Sequence, residues 1–89
     1  MSTRIHPTAL VDASAQLGAG VEIGPWAIVG PGCIIGDESV LSPRATLERD
    51  VTLGQRVKVG VGTVLGGDPQ DLKFRGEVTR VEIGDDTTL

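Results

Sequence analysis

From Ile5 to Leu65 an aliphatic residue falls at every sixth position: Ile5, Val11, Leu17, Ile23, Val29, Ile35, Leu41, Leu47, Leu53, Val59 and Leu65. Neither the alternation of an ordinary strand nor the 3.6-residue turn of a helix generates a strict six. The rest of the unit is patterned too. Glycine follows the aliphatic at 18, 24, 30, 36, 54, 60, 66 and 84. The fourth residue after it is small or β-branched: Ala9, Ala15, Val21, Ala27, Cys33, Ser39, Ala45, Val51, Val57 and Thr63. Prolines 7, 25, 31 and 43 share one phase, two after the aliphatic, where a fixed φ is useful and a missing N–H is tolerated. Such a hexapeptide repeat reads as a parallel β-helix.

The expected geometry follows. Three hexads close one triangular coil of about 18 residues, and coils stack at the parallel-strand spacing of about 4.8 Å. The aliphatic fills a narrow bore. The small residue points inward near a corner, where a leucine would not fit. Glycine after the aliphatic is expected to supply unusual turn dihedrals. Coils of this repeat class wind left-handed, against the usual crossover rule. The class is therefore all-β, a left-handed parallel β-helix of about four to five coils with one extruded loop. With one Trp, one Phe and no Tyr, a compact globule would pack poorly, whereas a coil lined by Val, Ile and Leu needs no aromatics.

The 89 residues are expected to form one domain: regular coils over 5–65, a loop over 66–80 and a resumed coil over 81–89. Both ends of such a stack are open sheet edges, so a cap or a partner is expected. The formal charge of −4 argues against nucleic acid as the main partner. No apolar run is long enough to span a bilayer, and residues 1–11 lack a signal-peptide core. The single cysteine, Cys33, sits at an inward small position and reads as a buried apolar residue. It has no internal partner, so a reducing cytoplasm is the expected location.

Coils should run from Ile5 to Glu22, Ile23 to Val40 and Leu41 to Lys58, with a fourth starting at Val59. The glycine is replaced by His6 and Asp12 in the first coil and by Ser42 and Glu48 in the third. Charges gather in the third coil (Arg44, Glu48, Arg49, Asp50, Arg56, Lys58) and read as a solvated face. After Leu65 the pattern stops in a polar stretch containing Gly and Pro, where Asp71 and Glu77 occupy expected aliphatic positions. It returns at Val81-Glu82-Ile83-Gly84. Ile83 lies 18 residues after Leu65, which implies one full coil between them. The chain ends at Leu89 on an inward aliphatic, which the next coil would be expected to cover.

Few residues offer chemistry. Gly30-Pro31-Gly32 and Gly60-Val61-Gly62 lead into no helical pattern, and no glycine run ends in Lys-Ser or Lys-Thr. One histidine and one cysteine make no metal site. His6 could act as a general base, but its hexad holds no acidic partner, and a structural or neutral role is the simpler reading. In the loop, Asp71 and Lys73 flank Leu72. A carboxylate can accept bonds from sugar hydroxyls, an ammonium can donate, and the Gln70 amide can do both. On spacing alone such residues are more often merely solvated.

Four stretches carry a family resemblance. They are His6-Pro7-Thr8-Ala9, Ile23-Gly24-Pro25-Trp26 with Val29-Gly30-Pro31, Gln70-Asp71-Leu72-Lys73-Phe74 with Gly76-Glu77, and Thr79-Arg80-Val81-Glu82-Ile83-Gly84. Together they closely resemble the start of the bacterial UDP-N-acetylglucosamine O-acyltransferases, which open lipid A synthesis. The hexads alone are unspecific; the Gln-Asp-Leu-Lys-aromatic run followed by Gly-Glu is much more so.

The resemblance implies a homotrimer of left-handed β-helices with active sites between subunits. It implies transfer of a (3-hydroxy)fatty acyl group from acyl carrier protein to the 3-hydroxyl of the sugar, with a histidine base and no metal or dissociable cofactor. It implies that Gln70, Asp71 and Lys73 contact substrate across the subunit boundary. Phe74 matches an aromatic position of that loop, and Trp26, where the family often has Phe, is expected to pack. The family's catalytic histidine would lie beyond Leu89, and His6 does not match it. The 89 residues alone are therefore expected to be inactive. Two other readings stay open: a related hexapeptide acyltransferase with another sugar-nucleotide acceptor, and a non-catalytic trimeric scaffold.

Overall fold

The computed structural model describes residues 2–66 and 80–89. Each hexad contributes one short strand, and the aliphatic is its last residue. Three parallel sheets result, each of four strands. The first stacks Arg4–Ile5, Glu22–Ile23, Val40–Leu41 and Lys58–Val59. The second stacks Leu10–Val11, Ile28–Val29, Thr46–Leu47 and Val64–Leu65. The third stacks Gln16–Leu17, Ile34–Ile35, Val51–Leu53 and Val81–Ile83. Register is in phase on every face: Ile5 pairs Ile23, Val29 pairs Leu47, and Ile35 pairs Leu53. Thr88 bridges Lys58 and starts a fifth coil.

The bore is filled as the repeat dictates. Ile23, Val29, Ile35, Leu41, Leu47, Leu53 and Val59 are buried, together with the small corner residues Val21, Ala27, Cys33, Ala45, Val51 and Val57. Ser39 is the one buried polar side chain among the described residues. Its hydroxyl donates to the Gly54 carbonyl at 2.9 Å and accepts from the Val57 N–H at 3.0 Å, so no desolvated group is left unpaired.

The corners correct one expectation. At six corners the N–H of the small residue donates back to the carbonyl three residues earlier, as in Ala27 to Gly24 and Ala45 to Ser42. Pro25 and Pro43 take the second place of these β-turns. From Trp26 onward the third place has positive φ, as in 61° at Trp26, 62° at Glu38, 65° at Arg44 and 57° at Arg56, whereas Thr8 and Ser14 in the first coil do not. Proline second and positive φ third is the type II signature. The unusual dihedral thus lies two positions beyond the glycine that was expected to carry it. That glycine is required instead by close approach between coils. A Cβ on Gly24 would lie 2.9 Å from the Leu41 carbonyl oxygen, and one on Gly60 2.7 Å from that of Leu89.

The exceptions to the glycine rule are ordered. At two of the three corners a side chain and a glycine alternate up the stack: His6, Gly24, Ser42, Gly60 at one and Asp12, Gly30, Glu48, Gly66 at the next. Each such residue is thus stacked next to a glycine position of the adjoining coil. The third corner is glycine throughout, at 18, 36, 54 and 84.

A second correction concerns the return of the chain. Ile83 pairs Leu53, 30 residues earlier, where an uninterrupted coil would give 18. The excursion therefore inserts 12 residues at one corner. Ile83 takes the hexad slot directly after Leu65, and no extra coil lies between them.

Candidate functional site

The residues with substrate-binding expectations, Gln70, Asp71 and Lys73, lie outside the described residues, as does Phe74. The structure fixes where their segment is rooted. The chain leaves the coil at Gly66, whose φ of 98° suits glycine and which packs on Val51 and Glu48. It re-enters at Val81, whose N–H donates to the Asp50 carbonyl at 3.3 Å. Departure and return thus share the corner between the second and third sheets, above Glu48, Arg49 and Asp50. Arg49 Nε lies 3.7 Å from the Asp50 carboxylate, pairing an exposed arginine with a half-buried aspartate.

His6 is remote from that corner. It lies three coils away, about 14 Å along the axis, at the corner between the first and second sheets. Its Nδ1 is 2.9 Å from the Thr8 hydroxyl and accepts the Thr8 N–H at 3.2 Å. Asp12 serves its own corner likewise: its carboxylate accepts the Ser14 N–H at 2.8 Å and the Ser14 hydroxyl at 2.6 Å. These bonds hold the Asp12 carboxyl below its ordinary range. In the second coil the equivalent N–H groups of Trp26 and Gly32 donate to the Thr8 and Ser14 hydroxyls, both at 3.0 Å, and in the third coil they donate to carbonyls of the coil before, from Arg44 to Pro25 at 2.9 Å and from Asp50 to Pro31 at 3.0 Å. His6 and Asp12 are turn caps of the first coil. The structural reading of His6 is the one its contacts support.

Other candidates resolve simply. Cys33 is buried, and burial raises its thiol above the ordinary range, which keeps it protonated. Among the third-coil charges, Arg56 forms a two-pronged contact with Asp86, at 2.6 Å from Nε and 3.1 Å from Nη2. That pair holds Asp86 below the usual carboxylate range and raises Arg56. Both partners are exposed, in keeping with a solvated face. Among the described residues no cluster of three His, Cys, Asp or Glu side chains could hold a metal ion, and no helix is long and apolar enough to cross a membrane. Trp26 was expected to pack, yet it is 62% exposed within the chain.

The repeat matches the bacterial transferase hexapeptide family (six repeats) over residues 2–37. Among solved structures, LpxA from Acinetobacter baumannii aligns over 94% of this chain with 32% identity and a TM-score of 0.74. The chain is LpxA-like. The resemblance read from the sequence, to the N-terminal portion of such an enzyme, therefore stands, and so does the left-handed β-helix. The chain spans 35% of the length of that LpxA. A GDP-perosamine N-acetyl transferase from Caulobacter crescentus, solved with CoA and GDP-perosamine, aligns over 97% of this chain and 51% of its own, at 22% identity and a TM-score of 0.56. At that identity the likeness shows the fold alone. Curated protein sequences give no match.

Proposed function

We propose that this chain is the N-terminal coil segment of an O-acyltransferase. The enzyme moves a (3-hydroxy)fatty acyl group from acyl carrier protein to the 3-hydroxyl of UDP-N-acetylglucosamine, the first step of lipid A biosynthesis. The supporting observation is the 32% identity to LpxA across nearly the whole chain. The run Gln70-Asp71-Leu72-Lys73-Phe74 adds to it, in a segment whose flanking coil ends at Gly66 and resumes at Val81. Loops held by a scaffold are where binding residues concentrate. In this reading Asp71 accepts sugar hydroxyls, Lys73 donates to hydroxyl or carbonyl oxygen, and Gln70 does both. The general base is a histidine outside residues 1–89, because a base must reach the hydroxyl proton and His6 Nδ1 is engaged in its own turn. The working unit is a cytoplasmic homotrimer, with residues 1–89 belonging to a single β-helix domain.

A backbone amide chemical-shift titration with UDP-N-acetylglucosamine, alongside a GDP-sugar, tests the acceptor. The amides of Gln70, Asp71 and Lys73 are expected to move with the UDP-sugar and not with the GDP-sugar. Movement with the GDP-sugar alone would indicate a related acyltransferase with another acceptor. No movement with either would favour the scaffold reading.

A further inference from the structure

Among the described residues one ion pair joins two coils, and it stands at the first corner after the excursion. Arg56 meets Asp86, with Nε at 2.6 Å and Nη2 at 3.1 Å from the carboxylate oxygens. The other ion pair, Arg49 with Asp50, lies within one coil. Gln55 supports the contact twice. Its side-chain oxygen accepts from Arg56 Nη1 at 3.2 Å, which braces the guanidinium. Its N–H donates to the Asp85 carboxylate at 2.8 Å. That carboxylate fills the space a Cβ on Gly54 would need. Earlier in the stack the chain itself carries the phase, because each coil follows the last through unbroken hexads. The chain re-entering at Val81 has no such guide.

The strand Val81–Ile83 does not fix its own register. Val81 and Ile83 both pack on the core, opposite Val51 and Leu53. Side chains alternate between faces with a period of two. A slip of two residues would therefore still point β-branched residues inward, with Thr79 for Val81 and Val81 for Ile83. The two registers part only beyond Ile83. The observed one seats Asp85 on Gly54 and Asp86 on Arg56. The slipped one would carry Asp85 to the inward place above the buried Val57. The strand's first bond, from the Val81 N–H to the Asp50 carbonyl, is long at 3.3 Å, and the tight contacts lie at its far end. We infer that Arg56 is a positioning residue for the substrate loop. Its two-pronged bond to Asp86 clasps the returning chain and, through Val81–Ile83, fixes where residues 67–79 rejoin the stack. This deepens the function proposed for Gln70, Asp71 and Lys73 and rests on it. An exposed ion pair adds little to the stability of a whole fold. Register asks less of it, a preference between two arrangements of one short strand.

Amide hydrogen exchange and amide resonances of the full chain test this in the wild type, in Arg56→Ala and in the charge swap Arg56→Asp with Asp86→Arg. The Gly54 and Lys58 amides report the clasp, because they donate to the Ile83 and Thr87 carbonyls at 2.8 and 2.9 Å. The Gly36 and Val40 amides, bonded to Leu53 and Val57, report the coil below and confirm that each variant folds. Arg56→Ala is expected to quicken exchange at Gly54 and Lys58 by about two- to fivefold, the range of an exposed ion pair, and to leave Gly36 and Val40 unchanged. The amide resonances of Gln70, Asp71 and Lys73 are expected to shift in the ligand-free variant, and their affinity for UDP-N-acetylglucosamine to fall by a similar factor. The swap is expected to restore all three readings. Unchanged exchange at Gly54 and Lys58 overturns the clasp. Quickened exchange with unmoved loop resonances overturns the positioning role. A swap that restores nothing assigns the effect to lost packing of Arg56 and overturns the pair as its cause. A wild type indifferent to the UDP-sugar counts against the proposed acceptor alone, since exchange and ligand-free resonances decide the clasp without it.

Discussion

The first coil and the two that follow are written in one six-residue unit, yet they are held differently. In the second and third coils every inward aliphatic is buried, and each turn N–H is taken by the coil before, by the Thr8 and Ser14 hydroxyls at Trp26 and Gly32 and by carbonyls from Glu38 to Arg56. In the first coil Ile5 is 47% exposed, Val11 and Leu17 are only half-buried, and side chains take the turn donors. A hexad therefore has no fixed energetic worth. Its burial comes from the coils above and below, as expected when each repeat contacts only its neighbours.

That contrast can be broken at matched positions. The largest effect is expected at Leu47, fully buried in the third coil, where Leu47→Ala should cost about 2–5 kcal/mol through lost transfer energy and a cavity. Leu17→Ala, at the equivalent bore position of the half-buried first coil, should cost clearly less in the same urea-unfolding series. Equal costs would show that burial by neighbouring coils does not set the energetics. Next comes the glycine after the aliphatic. A Cβ on Gly30 would run into the Glu48 carbonyl, so Gly30→Ala should cost about 1–3 kcal/mol in urea unfolding. At Gly84 nothing lies within 4 Å of that position, so Gly84→Ala should stay within about 0.5 kcal/mol of wild type.

The smallest effect is expected in acid. The Asp12 carboxyl is held below its ordinary 3.8 by the Ser14 hydroxyl and N–H. A depressed folded-state value means that the cap contributes stability above the unfolded value and loses it as pH falls through the lower folded one. Exchange of the Ser14 amide should therefore quicken as pH drops below about 4, relative to Asp12→Ala, in which the acid-dependent part is absent. Identical pH profiles would remove Asp12 as a cap.

Much of this was legible in the sequence because one period controls it. The aliphatic at every sixth position gave the bore, the three sheets and the register, and Cys33 and Ser39 fell where small inward residues belong. The corners were harder. Gly24 and Trp26 sit two apart in one turn, and sequence alone does not say which carries the positive φ; proline at the position between them was the available signal. The alternation of His6, Gly24, Ser42 and Gly60 has a period of 18, and it shows only when the sequence is written one coil per line. The slot taken by Ile83 was misjudged because a spacing of 18 fits a full coil and an insertion within one coil equally well. Pairing with Leu53 decides between them. For the loop, Gln70, Asp71 and Lys73 rest on the family resemblance, since polar loop residues carry no periodic signal.

The central claim is that these residues are an acyltransferase's N-terminal coils, substrate loop included. Its most direct test is a chimera. This chain replaces the corresponding segment of the Acinetobacter baumannii LpxA, and transfer of a 3-hydroxyacyl group from acyl carrier protein to UDP-N-acetylglucosamine is assayed. The account predicts a folded, active chimera whose transfer falls sharply in the paired change Asp71→Ala with Lys73→Ala. A chimera that folds and assembles but transfers nothing, or one indifferent to that paired change, would contradict it.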